Sequence, residues 1–376
     1  MDVVEIALKG LKNRLARLSS SSVLANTVTC FVTYYISHWQ LYPSLVPACL
    51  DFVQARGATS LLESDTSLQA NLDFLLDTFI ETRQLGSAVA LSAIPTASAV
   101  IKETIEKSLP INDLDNVILR LSRCLLDASQ PEESSSFRSA AASSLKTTGR
   151  LLVEKANQTA ETSRNLFLLI LNLIQDEEKD IRADTAFFLT DLVSSLNDTS
   201  KENPRVYQMS PSRSLQEFAF HIHNWFPMQH IAPVIFDLLK DSDPVKSDEI
   251  QQCLYDREPR NFFHEETESV RFLVNVVESL ASAMDSDDNH FFQLDVDVKQ
   301  ILIEADQCLD RIRSNSSLNA KANEWLFTQS AENYSVLIRL GARLTIIALC
   351  CPSWKTEQSF VELQNSIERM THRYVS

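Results

Sequence analysis

The sequence predicts an all-α protein, an α-solenoid of HEAT- or armadillo-like helical repeats, and three observations carry that expectation. Glycine is scarce, at 5 of 376 residues, where average usage is about 7 %. Apolar residues recur at helical spacing almost throughout, while period-two alternation of strand length is hard to find. A short residue pattern also repeats at an offset of 44 residues. Scarce glycine disfavours sandwiches, barrels and doubly wound sheets, which need many positive-φ positions. The five glycines, at 10, 57, 86, 149 and 341, lie too far apart for a G-x-G-x-x-G or P-loop turn. No cofactor is therefore expected. A hydrophobic share of 44 % is enough for a large core.

The elements follow from punctuation along the chain. Polar or proline-bearing breaks fall near residues 19–22, 41–47, 56–66, 109–112, 129–136, 197–211, 241–247, 285–289, 314–318 and 351–353. Between them lie segments of about 12 to 25 residues, the expected length of antiparallel helices joined by short loops. The repeat aligns Phe137-Arg138-Ser139-Ala140-Ala141-Ala142-Ser143-Ser144-Leu145 with Ile181-Arg182-Ala183-Asp184-Thr185-Ala186-Phe187-Phe188-Leu189. Each copy has an apolar residue, an Arg, an Ala four residues later and a Leu seven later, all on one helical face. Each follows an apolar helix and an acidic loop, and a period near 44 describes a HEAT or armadillo unit. A weaker echo at Ile94 has Pro95 in place of the Arg, which fits a first helical turn. The whole chain, 1–376, reads as a single α-solenoid, clearest over 94–196 and a more irregular helical stack over 211–376.

Adjacent units of a solenoid share one core, so small residues such as Ala142 and Ala186 are expected where second helices approach. Asp127, Arg138, Asp176 and Arg182 sit near the turns within units and are expected to form a structural ladder. Exposed links of that kind contribute only about 0–1 kcal/mol each.

The formal charge of −16 is concentrated: Ile235–Asp310 holds 19 acidic side chains against 6 Lys or Arg. Such a block repels phosphate and suits solvent or a basic partner. The 7 cysteines contain no C-x-x-C pair, so neither a disulfide framework nor a zinc finger is expected. The first residues, Met1-Asp2-Val3-Val4-Glu5, lack the basic start of a signal peptide. The densest apolar runs, Leu166–Leu171 and Thr345–Cys351, fall short of the roughly 20 residues of a membrane span. A cytoplasmic location without membrane contact is the expectation.

Few residues suggest chemistry. His221 and His223 on a helix point about 200° apart, which disfavours one shared metal, and no metal is expected. No G-x-S-x-G elbow nominates a nucleophile, and paired acids such as Glu132-Glu133 diverge into solvent. A non-enzymatic role fits best. The most unusual segment is Cys253–Glu266, in which Pro259 interrupts the chain and Asn261 can cap a new helix carrying Glu265 in its first turn. Its aromatics and charges, Tyr255, Glu258, Arg260, Asn261, Phe262, Phe263 and Glu265, fit either a structural anchor or a partner-docking corner.

These residues carry a family resemblance. The run Leu254–Glu265 resembles the stretch of aromatic, Glu, Asn, aromatic and Glu in the C-terminal region of the thyroid adenoma-associated protein (THADA) family. About 75 residues earlier, Leu173–Ala186 is similar to that family's last clear HEAT-like repeat, and the helix ending in Phe236-Asp237-Leu238-Leu239 lies between them in the same order. The resemblance spans roughly Leu114–Leu280. It implies a non-catalytic α-solenoid regulatory subunit that directs a protein partner, an FtsJ-like 2′-O-methyltransferase binding S-adenosylmethionine, to nucleotide 32 of the tRNA anticodon loop. Contact with tRNA would be indirect or through less acidic repeats, where Lys146, Arg150, Lys155 and Arg164 are the candidate RNA-facing residues. A general protein-interaction solenoid for transport or complex assembly is the alternative.

Overall fold

The computed structural model describes residues 31–32, 34–36, 38–42, 44–56, 70, 72–77, 79–80, 88–108, 111, 113–156, 159–196, 211–240, 262–283, 294–316 and 323–375. The protein is all-α: among the described residues the regular elements are helices, without strands. Its contacts cluster in two compact units, Met1–Phe218 and Ala219–Ser376, where the sequence suggests one continuous stack.

The first unit contains α1 (Val46–Arg56), α2 (Ala88–Glu106), α3 (Leu114–Ala128), α4 (Ser135–Ala156), α5 (Ala160–Ile174) and α6 (Lys179–Leu196). Helix starts follow the local chemistry. The Asp113 carboxylate accepts from the Asn116 amide and caps α3, and the Thr159 hydroxyl does the same for α5 through Thr162, satisfying amides that a helix terminus leaves without partners. Pro95 differs from its sequence reading. It lies inside α2, not in the first turn, because the helix begins at Ala88; its missing N–H removes one internal hydrogen bond.

Helices α2, α4 and α6 lie side by side in one layer, and α3 packs on α5 in a second, with sequential helices touching between layers. Hydrogen bonds fix the register. Asn165 Nδ2 donates to Ser122 Oγ and Asn172 Nδ2 to Ser129 Oγ, both at 3.1 Å. The two bonds are seven residues apart on each helix, so α3 and α5 run parallel with aligned turns. Ala142 and Ala186 are buried, and Leu121, Leu145, Leu166 and Leu189 are fully enclosed. Burying each such leucine stabilises the fold by about 1.5–3 kcal/mol.

Helix α7 (Pro211–His221) falls mostly within the first unit, and the second unit includes a 3₁₀ turn, Ile222–Asn224. There follow α8 (Met228–Leu238), α9 (Phe262–Ser282), α10 (Val298–Ser316), the long α11 (Asn323–Cys350) and α12 (Gln358–Val375). Helix α11 is the common element, packing against α9 and α12 and more lightly against α8 and α10. Tyr334 marks this junction: its hydroxyl hydrogen-bonds Thr267 of α9, and its ring meets Tyr374 of α12 edge-on at 6.4 Å.

The sequence counted only short apolar runs, but two stretches are long and apolar enough to cross a membrane by length and composition, Ala88–Glu106 and Ser330–Cys350. Both are packed against neighbouring helices, α2 against α1 and α4, and α11 as described. Small and hydroxyl residues dilute the pattern to the eye, while burial in a core selects the same average apolarity.

Candidate functional site

The repeated arginines perform a common local task. Arg138 Nη1 donates to the carbonyl of Glu133, and Arg182 Nη1 donates to the carbonyl of Glu177. Donors and acceptors are both 44 residues apart, so the two acidic loops are closed in the same way. Arg138 then reaches into the following loop. Its Nε lies 2.7 Å from Asp176 Oδ2 and its Nη2 2.9 Å from Glu177 Oε1. The Arg138 and Asp176 side chains are only 6 % and 3 % exposed, so the small value of a surface link does not apply to this pair. The carboxylates raise the Arg138 pKa further, the hydrogen bond to Asp176 being the largest cause. Asp176 also accepts from the Glu178 amide at 2.9 Å. Arg182 bonds the main-chain carbonyls of Asp176 and Glu177, and Asp127 lies exposed in the last turn of α3.

The candidate RNA-facing residues are divided between α4 and α5. Lys146 pairs with Asp184 at 2.6 Å and lies 4.9 Å from the centroid of Phe187. Arg150 pairs with Glu154 on its own helix. Lys155 is half-buried near the end of α4, and Arg164 is exposed on α5, in the other layer. Two of the four cations are thus already neutralised by carboxylates. Of the docking-corner residues, Tyr255, Glu258, Arg260 and Asn261 lie outside the described residues; Phe262, Phe263 and Glu265 belong to the first turn of α9, but their side chains are outside the description. Among the described residues no three His, Cys, Asp or Glu are grouped to hold a metal ion.

A cluster that the sequence reading missed lies in the second unit. Arg339 of α11 holds Glu266 of α9 with Nε at 2.6 Å from Oε1, and donates from Nη1 to the Leu238 carbonyl at the end of α8. Ser335 Oγ donates to the same carboxylate oxygen at 2.8 Å. One turn beyond, Arg343 has a different environment. Its guanidinium carbon lies 4.5 Å from the centroid of Phe236, and its buried Nε has no hydrogen-bond partner. Burial lowers its pKa, with Glu304 and Asp237 opposing through charge. Both arginines line a small cavity of about 130 Å³, open to solvent, among α10, α11 and the end of α8, with Lys240 and Glu304 also in its lining. The apolar part of the lining is Ile301, Ala305, Val336 and Leu340, of which Ile301, Ala305 and Leu340 are buried, and Cys308 also borders the cavity. A signal was present: two arginines in the otherwise apolar stretch Tyr334–Cys350 must each find a counter-charge or remain costly.

The arrangement can fix helices against one another and present grooves and charged faces; it aligns no nucleophile with a base among the described contacts. No family model, curated protein or solved structure matches the chain.

Proposed function

We propose that this chain is a non-catalytic scaffold, an α-solenoid of HEAT-like units that works by binding other proteins. The observation that carries the reading is the matched closure of two acidic loops by Arg138 and Arg182 at a spacing of 44 residues, within a two-layer arrangement of parallel, register-locked helices. Such stacking produces extended surfaces suited to macromolecular partners. Within this reading we assign the chain the role implied by its resemblance to the thyroid adenoma-associated protein family: a cytoplasmic regulatory subunit that directs an FtsJ-like 2′-O-methyltransferase to nucleotide 32 of tRNA. The resemblance over Leu114–Leu280 supports that role.

Purification of the tagged chain from its native cells tests both levels. Stoichiometric recovery of a methyltransferase, with loss of ribose methylation at tRNA nucleotide 32 after deletion, is the expected result. Recovery of transport or assembly proteins with unchanged methylation leaves the scaffold and removes the tRNA role. Absence of any stoichiometric protein partner overturns the scaffold. The isolated chain, given S-adenosylmethionine and tRNA, is expected to show no turnover.

A further inference from the structure

One stretch of the sequence is unlike the rest. Residues 18–50 contain no Asp, Glu, Lys or Arg, in a chain that is 22 % charged, and the four cations Lys9, Lys12, Arg14 and Arg17 precede them without an acid between residues 6 and 50. A water-facing surface typically carries charge at about 25–35 % of its positions. A run without charge belongs in a core or against something other than water.

The described part of this run is only half in the core. Residues 31, 32 and 34–36 are helical and 38–41 form a turn. Val32 and Ile36 are buried, as are Leu45, Val46, Cys49 and Leu50 after the turn. Phe31, Tyr34, Leu41 and Tyr42 are instead 59 %, 50 %, 70 % and 39 % exposed, with His38, Gln40 and Ser44 as the exposed polar residues among them.

These side chains form a continuous, ordered face. Phe31 and Tyr34 are helical neighbours at i and i+3. The Tyr34 ring stacks on His38 at 4.3 Å and meets Tyr35 at 5.8 Å, and Tyr35 meets Tyr42 edge-on at 5.2 Å. Main-chain bonds hold the turn: the amides of His38 and Trp39 donate to the carbonyls of Tyr34 and Ile36, and those of Leu41 and Tyr42 to His38 and Trp39. Apolar groups already fixed in this way cost little further ordering when something covers them.

Composition identifies the covering. A protein interface surrounds its apolar centre with a polar and charged rim, and a single-stranded nucleic-acid site interleaves cations with its aromatic rings. Residues 18–50 offer no charge for either. Tyrosines beside an exposed aliphatic tip match the headgroup level of a bilayer, where amphipathic rings are enriched, and a neighbouring group of cations adds attraction to anionic lipid. We propose that Phe31, Tyr34, Leu41 and Tyr42 form a membrane-surface contact that seats on an anionic bilayer, with Leu41 and Phe31 at the acyl boundary and the tyrosine hydroxyls among the headgroups. Lys9, Lys12, Arg14 and Arg17 supply the preference for anionic lipid. Such a contact needs no membrane span, the kind of segment on which the sequence expectation rested. It is independent of the scaffold reading, since a membrane contact neither requires nor excludes a protein partner.

The test floats the full-length chain with vesicles of phosphatidylcholine alone and of phosphatidylcholine containing about 30 % phosphatidylserine. Recovery is expected with the anionic vesicles and little with the neutral ones. Phe31→Ser combined with Leu41→Ser should lower the apparent affinity about tenfold or more at an unchanged thermal midpoint, because both side chains are exposed. Leu41→Trp should raise it, again at the wild-type midpoint. Replacing Lys9, Lys12, Arg14 and Arg17 by Gln should abolish the preference for anionic vesicles. Phe220→Ser, which removes an exposed aromatic elsewhere, should change nothing. No recovery on anionic vesicles, equal recovery on both compositions, undiminished recovery in the double variant, no gain in Leu41→Trp, or an equal loss in Phe220→Ser overturns the inference. Binding of oligouridylate that the double variant loses, without recovery on vesicles, also overturns it and assigns the face to nucleic acid.

Discussion

The guanidinium of Arg138 and the carboxylate of Asp176 meet at 2.7 Å in a nearly solvent-free position between α4 and the loop that joins α5 to α6. Desolvation opposes such a pair, and its hydrogen bonds offset that cost only while both partners remain. Replacing Asp176 by Ala leaves Arg138 buried with only the exposed Glu177 as a nearby carboxylate and removes the acceptor of the Glu178 amide. The expected loss is about 3–5 kcal/mol. Hydrogen exchange at α4 and α6 should report it, and Arg138→Met combined with Asp176→Leu should recover much of the protection.

Gly149 of α4 faces Phe188 of α6. A Cβ built there would lie 2.5 Å from Phe188 Cε2 and 2.9 Å from Leu145 Cδ1. Alanine ordinarily favours a helix interior by about 1 kcal/mol over glycine, but overpacking costs about 1–3 kcal/mol. Gly149→Ala is therefore expected to lower the thermal midpoint, and adding Phe188→Leu to relieve much of the defect.

Burial pushes the thiols of Cys49 and Cys350 up to about 12. At pH 8 they are protonated and shielded, and the thiolate is the reacting species. Iodoacetamide should label the half-buried Cys308 far faster than either, with the gap closing in denaturant. Equal rates in the native protein would contradict the packing around α1 and α11.

His230 has its pKa lowered from 6.5 by burial. The unfolded chain therefore binds more protons than the native one just below 6.5, and native stability falls as pH decreases through that value. Above it, the neutral imidazole is favoured in both states. Thermal midpoints measured from pH 7.5 to pH 5 should decline less steeply in His230→Gln than in the wild type.

The helical class was legible because periodicity and punctuation are local properties. The equivalence of Arg138 and Arg182 was legible too, since the same residues recur with the same spacing and bond corresponding carbonyls. Their further partners were less accessible to sequence reasoning. Of the residues expected in one ladder, Asp176 reaches Arg138 across 38 positions, while Asp127 lies exposed at the end of α3. Pro95 was misplaced by about two turns because the tertiary contacts of α2 with α1 and α4 extend the helix on its N-terminal side. The Arg339–Glu266 bond joins residues 73 positions apart, and no local spacing predicts which acid crosses that distance. Arg343 was visible as a cation in an apolar helix, but its stack on Phe236 depended on how α8 meets α11.

Arg339 grips the chain at Leu238 and again at Glu266, acting as a non-covalent clasp around the 27 positions between them. A clasp separates the stability of the two stems from the length of what they enclose. Doubling the number of enclosed residues adds only about 0.6 kcal/mol of closure entropy. The mutual geometry of α8, α9 and α11 is therefore held by Arg339 itself and not by the chain that joins α8 to α9.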